Sequence, residues 1–158
     1  MSNPYFRRTS GSGGGGEHYI NTPEADLVKL VRFSLGVAFG DCQLFRKFHA
    51  DQFTESGVGD LVGHILGKYV ELELKVSKNY FSGVQKANLA RVQASGGAAF
   101  GLLHHRESKS YYLLPVAAVT EFSYHDVAKW LPLPVIDVPG REGSRPALNL
   151  QALRILIA

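Results

Sequence analysis

The fold is decided by one stretch of the chain, residues 57–76, which reads GVGDLVGHILGKYVELELKV. Its second half, 69–76, alternates apolar and polar residues with the period of two that is typical of a half-buried β-strand. Its first half contains a shorter apolar run, 60–66, which also favours a strand. Gly-Lys at 67–68 is the right length for a two-residue turn, so the stretch predicts an antiparallel hairpin.

The second strand of this hairpin has two chemically different faces. Its apolar face carries Val70, Leu72, Leu74 and Val76, and its other face carries Tyr69, Glu71, Glu73 and Lys75. Successive side chains of a strand point to opposite sides, so the two acids and the lysine share one side.

A turn at 67–68 sets a register in which Asp60 lies opposite Lys75. Asp60 and Glu73 are then diagonal neighbours on one face, within reach of a shared ion. Mg²⁺ prefers carboxylate oxygens and water, and an ion there could activate water beside a phosphate. Lys75 could orient that water or stabilise the developing charge. The alternative is that the polar residues are simply the solvated side of an antiparallel sheet.

Composition limits the classes of protein that the chain can belong to. Its 158 residues fit one domain, and 45% hydrophobic with 20% charged residues is ordinary for a globular protein. A lone cysteine, Cys42, excludes an internal disulfide and a cysteine-based zinc site. The net charge of +3 permits a polyanionic partner. We expect no transmembrane helix, no secretion signal and a cytoplasmic location, in a host cell if the origin is viral or phage.

The rest of the chain predicts a mixed α/β or α+β sheet. The expected elements are a helix from Thr22-Pro23 to Gly36, a strand at 42–49, the hairpin, a helix from Ser82 to Ser95, strands at 98–105 and 111–116, and a short helix at 123–130. The order is therefore helix, three strands, helix, two strands, with a proline-rich extended or looped tail.

Three regions follow from this order. Residues 1–21 contain the tract GSGGGG and predict a flexible arm. Residues 22–120 form the core. Residues 121–158 form a C-terminal appendage that packs on the core or on a second copy of the chain.

Three pieces of the pattern together resemble a known family. They are 57–63 (GVGDLVG), 69–75 (YVELELK) and Gln85 at the start of the next helix. They are similar to the core of the PD-(D/E)XK nucleases, above all the virus-type replication-repair nuclease module (VRR-NUC) and the Holliday junction resolvases. The resemblance spans residues 24–114, and it departs from the family pattern at Gly59, where a proline usually precedes the aspartate.

The resemblance implies a restriction-endonuclease-like fold and a metal-dependent phosphodiesterase that acts on DNA. Carried over residue by residue, it makes Asp60 and Glu73 metal ligands, Lys75 the catalytic lysine and Gln85 a site-facing glutamine. Glu24 becomes the acidic residue from the first helix. The implied cofactor is Mg²⁺ or Mn²⁺.

Several of these residues have a competing structural role. Gln85 is also placed to complete a capping box with Ser82. Glu24 also suits the helix dipole from the first turn. Glu71 is the less favoured acid, because Glu73 lies two residues before the lysine, and we expect Glu71 to pair with His64 across the hairpin.

Basic residues around the expected site are candidates for contact with the DNA backbone. They are Arg46, Lys47, His49, Lys78, Lys86 and Arg91. A solvated surface explains any one of them equally well. Several acting together would make DNA binding depend on salt.

The function that these expectations support is a Mg²⁺- or Mn²⁺-dependent endodeoxyribonuclease that cuts branched DNA such as Holliday junctions. The resemblance also implies a homodimer, for which 111–116 and 153–157 are candidate interfaces. Two alternatives remain: a non-catalytic nucleic-acid-binding or assembly protein that keeps the nuclease fold, and a restriction-type or exonuclease component.

Overall fold

A computed structural model describes residues 6–8, 17–19, 23–40, 43–47, 60–76 and 81–158. The elements in chain order are β1 (Phe6–Arg8), β2 (Glu17–Tyr19), α1 (Pro23–Phe39), β3 (Gln43–Lys47), β4 (Leu61–Ile65), β5 (Lys68–Val76), α2 (Gly83–Ala94), β6 (Ala98–His105), β7 (Ser110–Pro115), α3 (Val116–Thr120), a 3₁₀ turn (Val127–Lys129), β8 (Leu131–Leu133), β9 (Val135–Gly140), β10 (Gly143–Leu148) and α4 (Leu153–Leu156). None of the helices in these ranges is long and apolar enough to cross a membrane.

The described residues form a six-stranded central sheet in the order β3-β4-β5-β6-β7-β8. β5 and β6 are parallel, and the other neighbouring strands are antiparallel. α2 supplies the crossover that a parallel pair requires. The predicted mixed α+β class is confirmed, as is the order helix, three strands, helix, two strands. β8 adds a strand that the sequence analysis left in the tail.

The sheet is covered on both faces. α1 packs against the apolar side of β5 in one buried cluster, which includes Val31 and Leu72. α2 and α3 pack on the opposite side in a second cluster, which includes Leu89, Leu103 and Val119. The apolar residues of α1 are therefore buried on one face of the sheet, and those of α2 and α3 on the other.

The segment beyond residue 121 packs against α1. The backbone N–H of Leu148 donates to Ser34 Oγ at 2.8 Å, and Ser34 in turn donates to the carbonyl of Leu30 at 2.6 Å. Leu153 and Ile157 are buried in the same cluster as α1. In the predicted N-terminal arm, β1 and β2 pair antiparallel, and the glycine tract lies outside the described residues.

The β4–β5 turn begins one residue earlier than predicted. The turn residues are Leu66 and Gly67, with φ of 51° and 82°, and Ile65 faces Lys68. Positive φ at both central positions is the requirement of a type I′ turn. Glycine suits either the second position of this turn or the first position of a type II′ turn, so the sequence alone did not separate the two registers.

The corrected register brings the two candidate acids closer. Leu61 faces Leu72, and one further step aligns Asp60 with Glu73, where the sequence analysis had placed it opposite Lys75. The strands have slipped by two residues. A slip of two leaves every side chain on its own face, so the predicted division of β5 into two faces still holds.

The first helix is longer than the sequence suggested. α1 continues past Gly36 to Phe39, because Ala38 and Phe39 are buried against the sheet. The glycine that follows the helix is Gly40, with φ of 55°. This left-handed conformation at a helix end favours glycine.

The predicted helix at 123–130 is wrong. Only a 3₁₀ turn at Val127–Lys129 is present there. Tyr124 and Trp130 are both buried, and both contact the ring of His105, at 4.3 and 6.3 Å between centroids. A regular α-helix would set these two side chains about 120° apart, so packing on a common cluster overrides the helical pattern.

Candidate active site

An open cavity of about 190 Å³ lies where β5 meets the first turns of α1 and α2. Its charged and polar lining consists of Glu24, Asp60, Glu73, Lys75 and Gln85. These are the five residues that the family resemblance singled out. The fold brings them together from α1, the residue before β4, β5 and α2.

Asp60 lies at the point where β4 and β5 stop pairing. The last pair is Leu61 with Leu72, whereas β5 continues to Val76. Beyond that pair, the backbone N–H of Leu74 donates to Asp60 Oδ2 at 2.8 Å. The carboxylate thus takes the place of a strand partner for β5, and this bond fixes one of its oxygens.

Glu73 is buried on the α2 side of β5, with 3% of its surface exposed. Its Oε1 accepts a hydrogen bond from Gln85 Nε2 at 2.7 Å. Lys75 Nζ lies 4.0 Å from the same oxygen. The burial rules out a solvated sheet face as the explanation of the Glu-x-Glu-x-Lys pattern.

The carboxyl groups of Asp60 and Glu73 interact with each other at the cavity. Burial, followed by the charge of Asp60 and a hydrogen bond between the two carboxyl groups, raises the pKa of Glu73 to about 9, against the opposing charge of Lys75. Burial and the neighbouring carboxylate both disfavour the charged form of Glu73, so Glu73 keeps its proton at neutral pH.

Lys75 is held at the cavity by the residues around it. Its side chain is 15% exposed, and its ammonium group lies 5.8 Å from the centre of the Phe81 ring. Phe81 packs tightly over Gly101, where an added Cβ would come within 2.8 Å of the ring. Gly101 is the β6 neighbour of Glu73, so its lack of a side chain lets Phe81 form an apolar wall beside the site.

Gln85 performs both of the roles that the sequence left open. Its backbone N–H donates to Ser82 Oγ at 3.1 Å, and its side-chain oxygen accepts from the Ser82 backbone at 2.8 Å. These two bonds are the capping box of α2. The remaining end of the amide, its NH₂ group, is the donor to Glu73, so one side chain connects the helix cap to the site.

Glu24 lines the cavity from the first turn of α1, and its side chain is exposed. Within the described part of the chain, no group of three His, Cys, Asp or Glu side chains is close enough to hold a metal ion. Of the three acids that line the cavity, Asp60 and Glu73 interact with each other, so these two are the candidates for holding an ion. Glu24 is placed at the rim, as expected of a first-turn acid, and its accessory role stays a prediction.

Glu71 is held away from the cavity by a different set of partners. Tyr69 Oη donates to its Oε1, and Asn88 Nδ2 donates to its Oε2. The expected pairing with His64 is wrong, because the two-residue slip puts His64 opposite Tyr69, whose ring it contacts. The sequence analysis missed Asn88, although its position three residues after Gln85 places it on the same helix face.

Four of the six basic residues proposed for DNA contact lie within the described residues, on β3 and α2. Arg46 and Lys47 pair with the first residues of β4, beside the site. Lys86 is half-buried and Arg91 is exposed on α2. The remaining two candidates, His49 and Lys78, lie outside the described residues. Contact of these side chains with DNA stays a prediction.

The chain matches no protein-family model, and no curated protein is significantly similar to it in sequence. Among solved structures, it is similar to Hjc, a Holliday junction resolvase from the archaeal hyperthermophile Archaeoglobus fulgidus. The two share 17% sequence identity with a TM-score of 0.43, over 57% of this chain and 77% of that chain.

Proposed function

We propose that the protein is a Mg²⁺- or Mn²⁺-dependent hydrolase of DNA phosphodiester bonds, with the Asp60–Glu73 cavity as its active site. The observation that carries the proposal is the convergence of two interacting carboxyl groups, one of them buried, in an open cavity that a lysine and a glutamine amide also line. A binding surface alone has no use for such a pair, because unneutralised buried acids destabilise a fold.

The donor set suits a hard divalent cation. Mg²⁺ is commonly bound by one or two carboxylates, with waters and substrate phosphate oxygens completing its shell. Asp60 and Glu73 supply two such carboxylates, and the proton that Glu73 keeps at neutral pH is what a cation would displace. When bound, the ion supplies positive charge that polarises a phosphate oxygen and lowers the pKa of an attacking water.

Each residue of the chain then has a distinct task. The Leu74 N–H fixes the carboxylate of Asp60, and the Gln85 amide fixes that of Glu73. Both groups are therefore positioned before a cation binds. Lys75 donates a hydrogen bond to the attacking water or to a phosphate oxygen as negative charge develops in the in-line displacement. Gln85 orients the Glu73 carboxylate, so the geometry needs little rearrangement during reaction.

The finer substrate assignment follows the family resemblance of the sequence. We infer branched DNA, such as a four-way junction, as the preferred substrate, and a homodimer as the acting form, since a symmetric cut of two strands needs two sites. The pI near 9.0 is compatible with a polyanionic substrate.

A cleavage assay tests the proposal. The purified protein is incubated with four-way junction, flap, single-stranded and linear duplex DNA, each with Mg²⁺, Mn²⁺ or EDTA. We expect cleavage of the junction with either metal and none in EDTA. Cleavage that survives EDTA would exclude the mechanism, and cleavage only from duplex ends would favour an exonuclease. Tight binding without any cleavage would favour a non-catalytic binding protein.

A further inference from the structure

Two carboxylate–amide hydrogen bonds run side by side between β5 and α2. Gln85 donates to Glu73 at 2.7 Å, and Asn88 donates to Glu71 at 2.5 Å. The first bond belongs to the candidate site, whereas Glu71 and Asn88 do not line the cavity. The second bond therefore needs an explanation of its own.

The spacing of the two bonds matches the two elements that they join. Glu71 and Glu73 are two residues apart on one face of a strand, a separation of about 6.6 Å. Gln85 and Asn88 are three residues apart on one face of a helix, a rise of about 4.5 Å. A rotation of α2 about its axis, or a slide along β5, would break both bonds together.

Glu71 is itself held in place. It is 4% exposed, and Tyr69 donates to the oxygen that Asn88 does not use. Burial and the hydrogen bond to Glu71 raise the pKa of Tyr69 from 10.0 to about 12, so the phenol stays protonated and able to donate even in mildly alkaline solution. Glu71 is thus a fixed point on the sheet to which the helix can attach.

We propose that Asn88 is a positioning residue for the site: by binding Glu71, it holds α2 in the rotation that keeps the Gln85 amide on Glu73. Its effect on catalysis rests on the proposed function, whereas its effect on the Gln85 side chain does not. Loss of the Asn88–Glu71 hydrogen bond would let the Gln85 side chain move away from Glu73, without removing any group that lines the cavity.

The test compares variants of the full chain at residues on α2. Asn88→Leu keeps the size of the side chain and removes its donor, and Asn88→Ala serves if the leucine variant does not fold. Gln93→Ala is the control, because it removes an exposed amide from the same helix. Glu71→Gln keeps an oxygen acceptor for Asn88 and serves as the conservative variant.

The direct readout is the side-chain NH₂ signal of Gln85 in ¹H–¹⁵N spectra, assigned through Gln85→Ala. We expect the Asn88 variants to shift this signal to that of an exposed amide, and Gln93→Ala and Glu71→Gln to leave it in place. Cleavage should show kcat lowered about 10- to 100-fold by the Asn88 variants, as is typical for residues that orient metal ligands. KM for DNA should stay unchanged.

The spectra and the cleavage assay test the positioning role and the proposed function separately. An unshifted Gln85 signal in a folded Asn88 variant would overturn the positioning role, whatever the activity. An unchanged kcat in a variant whose signal does shift would overturn its link to catalysis. If the unmodified protein cleaves none of the substrates, the proposed function fails, and the spectra still decide whether Asn88 positions Gln85.

Discussion

The two faces of β5 bury side chains of opposite chemical character. Toward α1, every side chain from Val70 onward is aliphatic, and Leu72 is fully buried in the main core. Toward α2, the same strand buries Glu71 and Glu73. Burial of aliphatic groups stabilises the fold, whereas burial of carboxyl groups opposes it. One strand therefore carries the core on one side and the proposed chemistry on the other.

The largest expected effect is on the cleavage rate, when the charged residues of the site are replaced. Asp60→Ala, Glu73→Ala and Lys75→Ala should each lower the cleavage rate about 10³-fold or more, because each removes several kcal/mol of transition-state stabilisation. Each variant should remain folded by circular dichroism. Glu142→Gln, at an exposed turn, is the matched control and should cleave normally. Full activity of Glu73→Ala would mean that another acid, and not Glu73, is the metal ligand.

Substitutions on the α1 face of β5 should change the free energy of unfolding and leave kcat unchanged. Leu72→Ala leaves a cavity under α1 and should lower the free energy of unfolding by about 2–5 kcal/mol, measured by urea denaturation. Val84→Ala, at an exposed position of α2, should change it by less than about 0.5 kcal/mol. The kcat of the folded fraction of Leu72→Ala should match that of the unmodified protein. A large fall in kcat would show that the two faces are not independent.

The paired acids should make metal-free stability fall as the pH rises. The pKa of Glu73 is raised from 4.5 to about 9 in the folded protein, so the folded state keeps a proton that the unfolded chain loses. The stabilisation is complete below about pH 4.5 and is lost as the pH approaches about 9, by at most about 1.4 kcal/mol per pH unit.

Thermal unfolding in EDTA across this pH range measures the slope. Glu73→Gln, which cannot ionise, should flatten it and should be at least as stable as the unmodified protein at pH 8. A slope that is the same in both proteins would mean that Glu73 is not the group responsible.

The smallest expected effect is at the helix cap that adjoins the site. Ser82→Ala removes the hydroxyl that accepts the Gln85 backbone N–H, which should cost about 1 kcal/mol of stability. The Gln85 side chain keeps its bond to Glu73, so kcat should change little. A kcat loss as large as that of the Asn88 variants would mean that the cap, and not Asn88, positions the glutamine.

The sequence predicted the faces of β5 but not its register. Strict alternation over 69–76 assigns each side chain to a face, and a slip by two residues leaves that assignment intact. The choice between a turn at 66–67 and one at 67–68 depends on backbone conformation, which Gly67 allows in both. Asp60 and Glu73 were thus placed on one face correctly, although the expected partner of Asp60 was wrong.

Contacts between distant parts of the chain explain the remaining errors. The helical pattern over 123–130 gave way to packing of Tyr124 and Trp130 around His105. Asn88 was missed because its importance depends on Glu71, which faces it from another element. Both roles of Gln85 were predicted, because its capping-box position is a local feature and the family resemblance marks it as site-facing.

Binding of Mn²⁺ at neutral pH, measured by calorimetry in buffers of different ionisation enthalpy, tests the central claim most directly. The unmodified protein should bind Mn²⁺ and release a proton as the ion displaces the one on Glu73. Asp60→Asn and Glu73→Gln should lose most of that affinity, and Glu142→Gln should keep it. Equal affinity in all four proteins, or binding without proton release, would contradict the account.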